Sequence, residues 1–582
     1  MMETYGSTDI IEIPLGSPRF RQKVERFLEA NALRMDEMDS YYVIEDTDGS
    51  ILAGGGISGN IIKCVAVSEG ARSLGLAAPL ISRLVAEGTS RGHNNLCVFT
   101  KPSNEAIFAS LGFRTIASAP AAILMENGRG VEAYEAYLRS LRDNVTSGII
   151  VIHANPLTLG HVYLFEEALK RCERLFVVPV GDDSSRFPYA ERCAMIDCAL
   201  AQFGGRAVRV DGSQYQISAL TFPTYFLKDL SEASETQMRL DLDLFARHIT
   251  QSLGATVRFV GTEPTDPLTA RYNALMQEML PSRGISIVEI PRLTGSDTAA
   301  PVTATSVRAA LDRGDFRIAA ALTPTFTHPY LLADLATRAL RLELDTPFKP
   351  GLVGPDGSGA HRDMDYAVMS RSIDTIRPFF GRIAALSFSN GSNESLAADI
   401  QTIGIEAERA MMASTGGVNT HRGAIFALGL AVAASARVLA RGAQLSDNEL
   451  STTIKSIASS LKQATDTHGS AAARSFSIMG AREMALEGYS LLFEDWLPFY
   501  RQSQDRQQTL LRIMSTLDDT CVIHRVGYER AQEVKRDSAD LSKDFSDNNL
   551  KDRCTRYTAE GISPGGAADM LSLTISLYSI TN

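Results

Sequence analysis

What most constrains the fold is a change of pattern near residue 323. Up to there, strand-length apolar runs alternate with helical stretches. Residues 330–582 instead carry Ala, Leu, Arg and Glu at helical spacing, with no convincing strand and no repeat. In the first part, Ile61–Val67 and Asn95–Thr100 predict strands and Ala77–Thr89 a helix. Gly148–Ile152, Leu175–Val180, Val257–Val260 and Ile285–Ile290 predict further strands, with a helix over Gly160–Arg171 after the first of them. That alternation predicts a parallel, doubly wound sheet. Pro324 and Pro329 bracket an expected linker. The expectation is a multidomain chain: α/β over 1–142, α/β over 147–323, all-α over 330–582.

Composition narrows the classes of function. Lys+Arg 57 against Asp+Glu 68 leaves a net charge of −11, which argues against a general nucleic-acid binder. The seven cysteines are scattered and none form CxxC, so neither a zinc site nor a disulfide framework is indicated. The apolar run Gly423–Ala436, set between Arg422 and Arg437, is too short to span a bilayer. The N-terminus, with Glu3, Asp9 and Glu12, does not read as a signal peptide. A soluble cytoplasmic protein, with no nucleic-acid or membrane partner, is expected.

The most informative stretch is Ile150-Val-Ile-His-Ala-Asn-Pro-Leu-Thr-Leu-Gly-His161. A buried strand runs into a proline turn and then a helix start. Unpaired N–H groups and partial positive charge there favour phosphate. Gly160 permits close backbone approach, and His161 can donate to phosphate oxygens. A lone histidine at such a place is also an ordinary cap. A second segment, Thr303-Ala-Thr-Ser-Val-Arg308, tips the reading towards catalysis. Together the two resemble the HxGH nucleotidyltransferase superfamily, with Thr158 in place of the first His. The resemblance implies a Rossmann-like domain in which Thr158, His161, Ser306 and Arg308 are catalytic. Asn155, Pro156 and Gly160 would hold ATP.

With Phe187–Arg192, Ser213–Tyr215, Thr221–Lys228, Gly261–Pro267 and Arg271–Asn273, the pattern is similar to the citrate lyase ligase family over nearly all of residues 1–322. Leu157 stands where Phe is usual, and His153 where Asn is usual. That family activates acetate with ATP, releases pyrophosphate, and acetylates the thiol of the acyl carrier (gamma) subunit of citrate lyase. Lys228 is a further candidate cation, or a solvated lysine. Arg72-Ser-Leu-Gly-Leu-Ala77 and Asn104–Phe113 resemble the GNAT acetyltransferase family, whose loop holds a CoA pyrophosphate. Arg72, Gly75 and Ala77 would be the CoA-like contacts. Two readings stand: a domain gripping the carrier's pantetheine arm, or a degenerate scaffold.

In 330–582, polar residues cluster in sequence: Glu343–Val353, Gly359–Asp365, Thr415–Gly423, Gly480–Glu483 with Glu487, Asp518–Asp519, and Ser563–Asp569. Gly-rich turns entering helices, with carboxylates and cations close by, suit a phosphate and Mg²⁺ site. These segments resemble the triphosphoribosyl-dephospho-CoA synthase family. Gly354 stands where Asp is usual, Arg422 where Lys is usual, and Cys521 where Asn is common; Asp356 is a substitute for the missing Asp. The resemblance implies joining the ribose of ATP to 3'-dephospho-CoA with loss of adenine. Lys349, Gly416, Gly417, Asn419, His421, Arg422 and Arg482 would bind nucleotide, and Asp363, Asp365 and Asp569 would bind Mg²⁺ or ribose. The expected whole is a bifunctional maturation enzyme using ATP. An adenylyltransferase fused to a malonate-decarboxylase type synthase, and a carrier-binding scaffold, are the alternatives.

Overall fold

The structure is a computed structural model. It describes residues 9–181, 185–212, 215–217, 222–227, 233–262, 266–294, 301–388, 391–462 and 478–582. Lys228, Ser213 and Thr221, named above, lie outside the described residues. The architecture is a mixed α/β region followed by a helical region. The described residues divide into two compact units. One lies within Met1–His153, His161–Asp183 and Ala199–Arg292; the other within Ala154–Gly160, Ser184–Cys198 and Leu293–Asn582.

The first unit holds two sheets. One has seven strands: β1 (Ile10–Ile13), β2 (Ser40–Glu45), β3 (Ile51–Ser58), β4 (Ile61–Val67), β5 (Leu96–Thr100), β6 (Phe113–Ser118) and β7 (Ile123–Asn127), in the order β1-β2-β3-β4-β5-β7-β6. All neighbours are antiparallel except β4 and β5, which pair in parallel over only Ile61↔Cys97 and Ile62↔Val98. The helix Ala77–Ser90 covers one face through Leu80, Ile81 and Leu84. The other face joins a core shared with the second sheet, in which Phe99 meets Phe222 edge-on. Polar bonds reinforce that junction. Tyr215 donates to the buried Glu126, Ser118 N–H donates to Asp243, and the His248 ring bridges Glu135 and the Ile116 carbonyl.

The second sheet is wholly parallel: β8 (Ser147–Ile152), β9 (Arg174–Pro179), β10 (Ala207–Arg209), β11 (Val257–Gly261) and β12 (Ser286–Ile290), ordered β10-β9-β8-β11-β12. The chain first adds strands on one side of β8 and then returns to the other. The end of β8, which leads into the Ile150–His161 motif, therefore marks the point where the strand order reverses, the usual ligand position in such sheets.

The helical part of the second unit is built round four long helices. His328–Leu344 packs against Tyr366–Ser387 and Gly565–Thr581; Arg422–Ala440 packs against both of these. Pro329 sits in the first turn of His328–Leu344, where its missing N–H costs nothing. The apolar run at Gly423–Ala436 proves to be part of a 19-residue helix, Arg422–Ala440. By length and composition that helix could cross a membrane, with mean hydropathy 1.9, but 78% of the window is buried inside the protein. A helix apolar on every side is what the centre of a bundle requires.

Candidate active sites

In the second unit the two nucleotide motifs meet. The Arg308 guanidinium donates to the Asn155 carbonyl at 2.5 Å and to Thr305 Oγ1 at 3.0 Å. The buried Asn155 side chain accepts from Phe187 N–H at 3.0 Å, and the Asn155–Pro156 peptide is cis. Thr303 caps the helix Ala304–Asp312, accepting from Ser306 N–H, and its hydroxyl lies 2.8 Å from that of Ser306. Any Cβ on Gly160 would sit 2.8 Å from the Val302 carbonyl, so only glycine fits. Thr158 is buried. Asn155, Thr158, Gly160, Ser306 and Arg308 are thus brought together. Burial first, and then Arg186, lower the pKa of Arg308 from its ordinary value.

Arg186 was not singled out from sequence, although it immediately precedes the Phe187–Arg192 motif. It pairs with Asp312 at 2.7 Å and with the buried Asp334 at 2.6 Å, and donates to the Arg308 carbonyl. Arg377 joins Asp334 to Glu191. Burial raises the pKa of Glu191 and Arg377 opposes the shift.

In the first unit, His161 is largely buried beside Arg292 and His153. Burial, with repulsion from those two, pushes its pKa down to about 4, so the imidazole is neutral near pH 7. A neutral ring still donates one N–H to an anion. In the seven-stranded sheet, Gly75 takes a left-handed φ of +70°, and the helix Ala77–Ser90 starts with no side-chain cap. Arg72 is exposed in the turn before it.

The helical part gathers a buried polar cluster. Lys349 is 3% exposed and donates to both the carboxylate and, at 2.7 Å, the carbonyl of Glu343. Asp519 accepts from Cys521 N–H at 2.8 Å and Ala567 N–H at 2.9 Å, capping two helices at once. The Asp569 carboxylate lies against Gly423, where any Cβ would be 2.0 Å from it. Burial, with Asp519 and Glu343 near, raises its pKa well above the ordinary aspartate value. His421 bonds Ser372 Oγ at 2.8 Å through Nδ1, while its buried Nε2 has no partner. Burial, then Lys349 and Arg341, lower its pKa to about 3. Gly416 and Gly417 shape the preceding loop with φ of +68° and +91°, and Asn419 accepts from Arg422 N–H.

Other expected members stand apart. Asp365 is a helix cap, accepting from Val368 N–H at 2.8 Å. Asp363 is exposed beside His361. Among the described residues no group of three His, Cys, Asp or Glu is arranged to hold a metal. Asp363, Asp365 and Asp569 are thus not gathered at one point; Mg²⁺ would need only one or two of these carboxylates together with phosphate and water. Asp356 accepts from Phe348 N–H, and its Oδ1 lies 3.1 Å from where a Cβ on Gly354 would be, so its carboxylate occupies the place of the side chain absent there. Arg422 pairs with Glu408 near the surface, and Arg482 donates to the Leu461 carbonyl. Tyr489, beside Asp569, escaped the sequence reading; the Gly488 before it, also left-handed, was the available signal.

A model described as citrate lyase ligase C-terminal domain matches residues 147–331, and one described as ATP:dephospho-CoA triphosphoribosyl transferase matches residues 329–582. The protein is thus an enzyme that joins a ligase to a transferase. The citrate (pro-3S)-lyase ligase of Haemophilus influenzae is 39% identical over 317 residues, covering 53% of this chain and 94% of its own. That of Klebsiella pneumoniae is 34% identical over 331 residues, covering 55% and 95%. The 2-(5''-triphosphoribosyl)-3'-dephosphocoenzyme-A synthase of Klebsiella pneumoniae is 32% identical over 260 residues, covering 42% and 93%. The chain belongs to the citrate lyase ligase family in its N-terminal part and to the triphosphoribosyl-dephospho-CoA synthase family in its C-terminal part.

Proposed function

We propose that the chain carries out two steps in the maturation of citrate lyase. Its C-terminal part makes 2'-(5''-triphosphoribosyl)-3'-dephospho-CoA from ATP and 3'-dephospho-CoA. Its middle part acetylates the finished prosthetic group on the acyl carrier subunit, using ATP and acetate. The observation that carries this reading is that one chain spans nearly the whole of a ligase relative and nearly the whole of a synthase relative.

In the ligase reaction an acetate oxygen attacks the α-phosphorus of ATP and pyrophosphate leaves. The carrier thiol, giving up its proton, then attacks the acetyl carbon and AMP leaves. Acetate is a weak nucleophile, so the site's task is alignment and stabilisation of charge on the departing pyrophosphate. Arg308 supplies positive charge, His161 a neutral N–H, and the Thr158 and Ser306 hydroxyls further donors. We assign 147–323 to an HxGH-type nucleotidyltransferase domain and 1–142 to a GNAT-like domain whose Arg72–Ala77 turn takes the pantetheine arm.

In the synthase reaction the 2'-hydroxyl of dephospho-CoA attacks C1' of the ATP ribose, and the bond to adenine breaks with the triphosphate intact. Positive charge develops on the sugar, so a carboxylate beside it is stabilising. Within 330–582, Asp569 and Asp519 are the buried candidates for that role, with His421 and Lys349 for the nucleotide. The test is incubation of the full chain with ATP and dephospho-CoA, following free adenine, and with ATP, acetate and the thiol form of the carrier, following pyrophosphate. Absence of adenine, or pyrophosphate release that ignores acetate and needs a phosphorylated substrate, would overturn the corresponding half.

A further inference from the structure

Within the second unit, helices of the bundle reach the ligase motifs through a buried ion network. Asp334, on the helix His328–Leu344, is 3% exposed. Its carboxylate takes two arms of the Arg186 guanidinium, Nε at 3.0 Å and Nη2 at 2.6 Å. The remaining Nη1 of Arg186 pairs with Asp312 at 2.7 Å and donates to the Arg308 carbonyl at 3.3 Å. Arg377, on the helix Tyr366–Ser387, donates to the same Asp334 at 3.4 Å and to Glu191 at 3.3 Å. Its guanidinium also lies 5.8 Å from the centre of the Phe187 ring, a cation–π distance. Phe187 N–H in turn donates to the Asn155 side chain at 3.0 Å. The two threads meet, because Arg308 donates to the Asn155 carbonyl.

Packing the helix His328–Leu344 on Tyr366–Ser387 would need no more than Arg377 with Asp334. The network goes further, since both guanidiniums that Asp334 holds also touch ligase segments. Asp334 and Arg377 themselves lie within the residues matched by the transferase model, 329–582, and outside those matched by the ligase model, 147–331. A bidentate pair between arginine and a carboxylate fixes orientation as well as charge, and a residue so fixed can hold a neighbour to the tolerance that alignment of a reaction demands. Charge matters too. Burial, and then the Arg186 charge, hold down the pKa of Arg308, so the carboxylates of Asp312 and Asp334 allow two cations to stand side by side. We propose that Asp334 and Arg377 are positioning residues for the proposed ligase reaction, on which this reading rests: they hold Arg186 and Phe187, and through them Arg308 and Asn155. The bundle thereby completes a site that belongs to the other activity.

The test uses the full chain and follows acetate-dependent pyrophosphate release, with far-UV circular dichroism and adenine release as checks that the helices are intact. Asp334→Asn keeps the shape and removes the charge. It should lower kcat for pyrophosphate release about tenfold and leave the KM for ATP nearly unchanged, since the contact disturbed is one made to the departing charge. Asp334→Glu should recover part of that loss. In an Arg186→Met background, Asp334→Asn should cost nothing further, because Asp334 acts through Arg186. Arg377→Gln, which weakens the Phe187 thread, should lower kcat about threefold. Wild-type kcat in both Asp334→Asn and Arg377→Gln would overturn the proposal. So would an equal fall in pyrophosphate and adenine release, which would mark the network as structural. A wild-type chain whose pyrophosphate release ignores acetate would instead refute the ligase reading, and would take this assignment with it.

Discussion

The ligase motifs and the buried polar cluster of the synthase part hold their polar groups by opposite means. In the ligase motifs the key cation is answered by the backbone: Arg308 donates to the Asn155 carbonyl, and Thr303 and Ser306 satisfy each other at a helix start. In the synthase part the charges lie inside a helical bundle. Glu343 and Lys349 are almost fully buried, Asp519 is spent on two helix N-termini, and Asp569 lies against Gly423. In the bundle the polar groups are cut into the core.

This contrast can be broken most forcefully at Lys349. Lys349→Met leaves Glu343 buried and alone, with an expected loss of about 3–5 kcal/mol in denaturant unfolding. Pairing it with Glu343→Leu should restore most of that stability and leave adenine release impaired. His161→Ala should lower acetate-dependent pyrophosphate release by about a hundredfold, roughly 2.7 kcal/mol of barrier, with adenine release unchanged. Near wild-type acetylation would remove His161 from the mechanism.

Acid sharpens the comparison. His161 and His421 resist protonation when folded, titrating at about 4 and about 3 against an ordinary 6.5. Between those limits the unfolded chain binds protons that the folded chain refuses. Stability should therefore fall as pH drops below 6.5, by up to about 1.4 kcal/mol per unit for each ring. Asp569 and Glu343 act in reverse. Their folded values are raised, so what they contribute is present at low pH and lost as pH rises towards those values. Replacing either histidine should make the acid limb shallower in unfolding midpoints measured from pH 6.5 to 4. The smallest effect is expected at Asp365, where Asn caps as well as Asp. Asp365→Asn should stay within about 0.5 kcal/mol in stability and unchanged in adenine release.

Periodicity made much of this legible. Ile61–Val67 is the strand expected from its sequence, and the parallel sheet around β8 follows the predicted runs closely. The face each residue takes was not legible in β4. Ile62 packs on one side of the sheet and Cys64 on the other, because a bulge with Cys64 at φ +52° inserts one residue opposite β3. The aspartates show a similar limit. Asp365 and Asp569 both follow glycine-containing turns, yet one is an exposed cap and the other a buried carboxyl. What separates them is the helix Arg422–Ala440 brought against Asp569 from far along the chain. Arg186 belongs with them, since its partners Asp312 and Asp334 are distant in sequence.

The Arg186–Asp334 pair bears on how the enzyme is inactivated. Asn155, Thr158, Arg186 and Arg308 all fold with the helical unit, although they lie in the part matched by the ligase family. On heating, acetate-dependent activity should disappear at the temperature where the helical unit melts, together with adenine release, however heat-resistant the sheets are. For the same reason proteolysis at Pro324–Pro329, which parts Arg186 from Asp334, is expected to silence the ligase and not to free it as an independent enzyme.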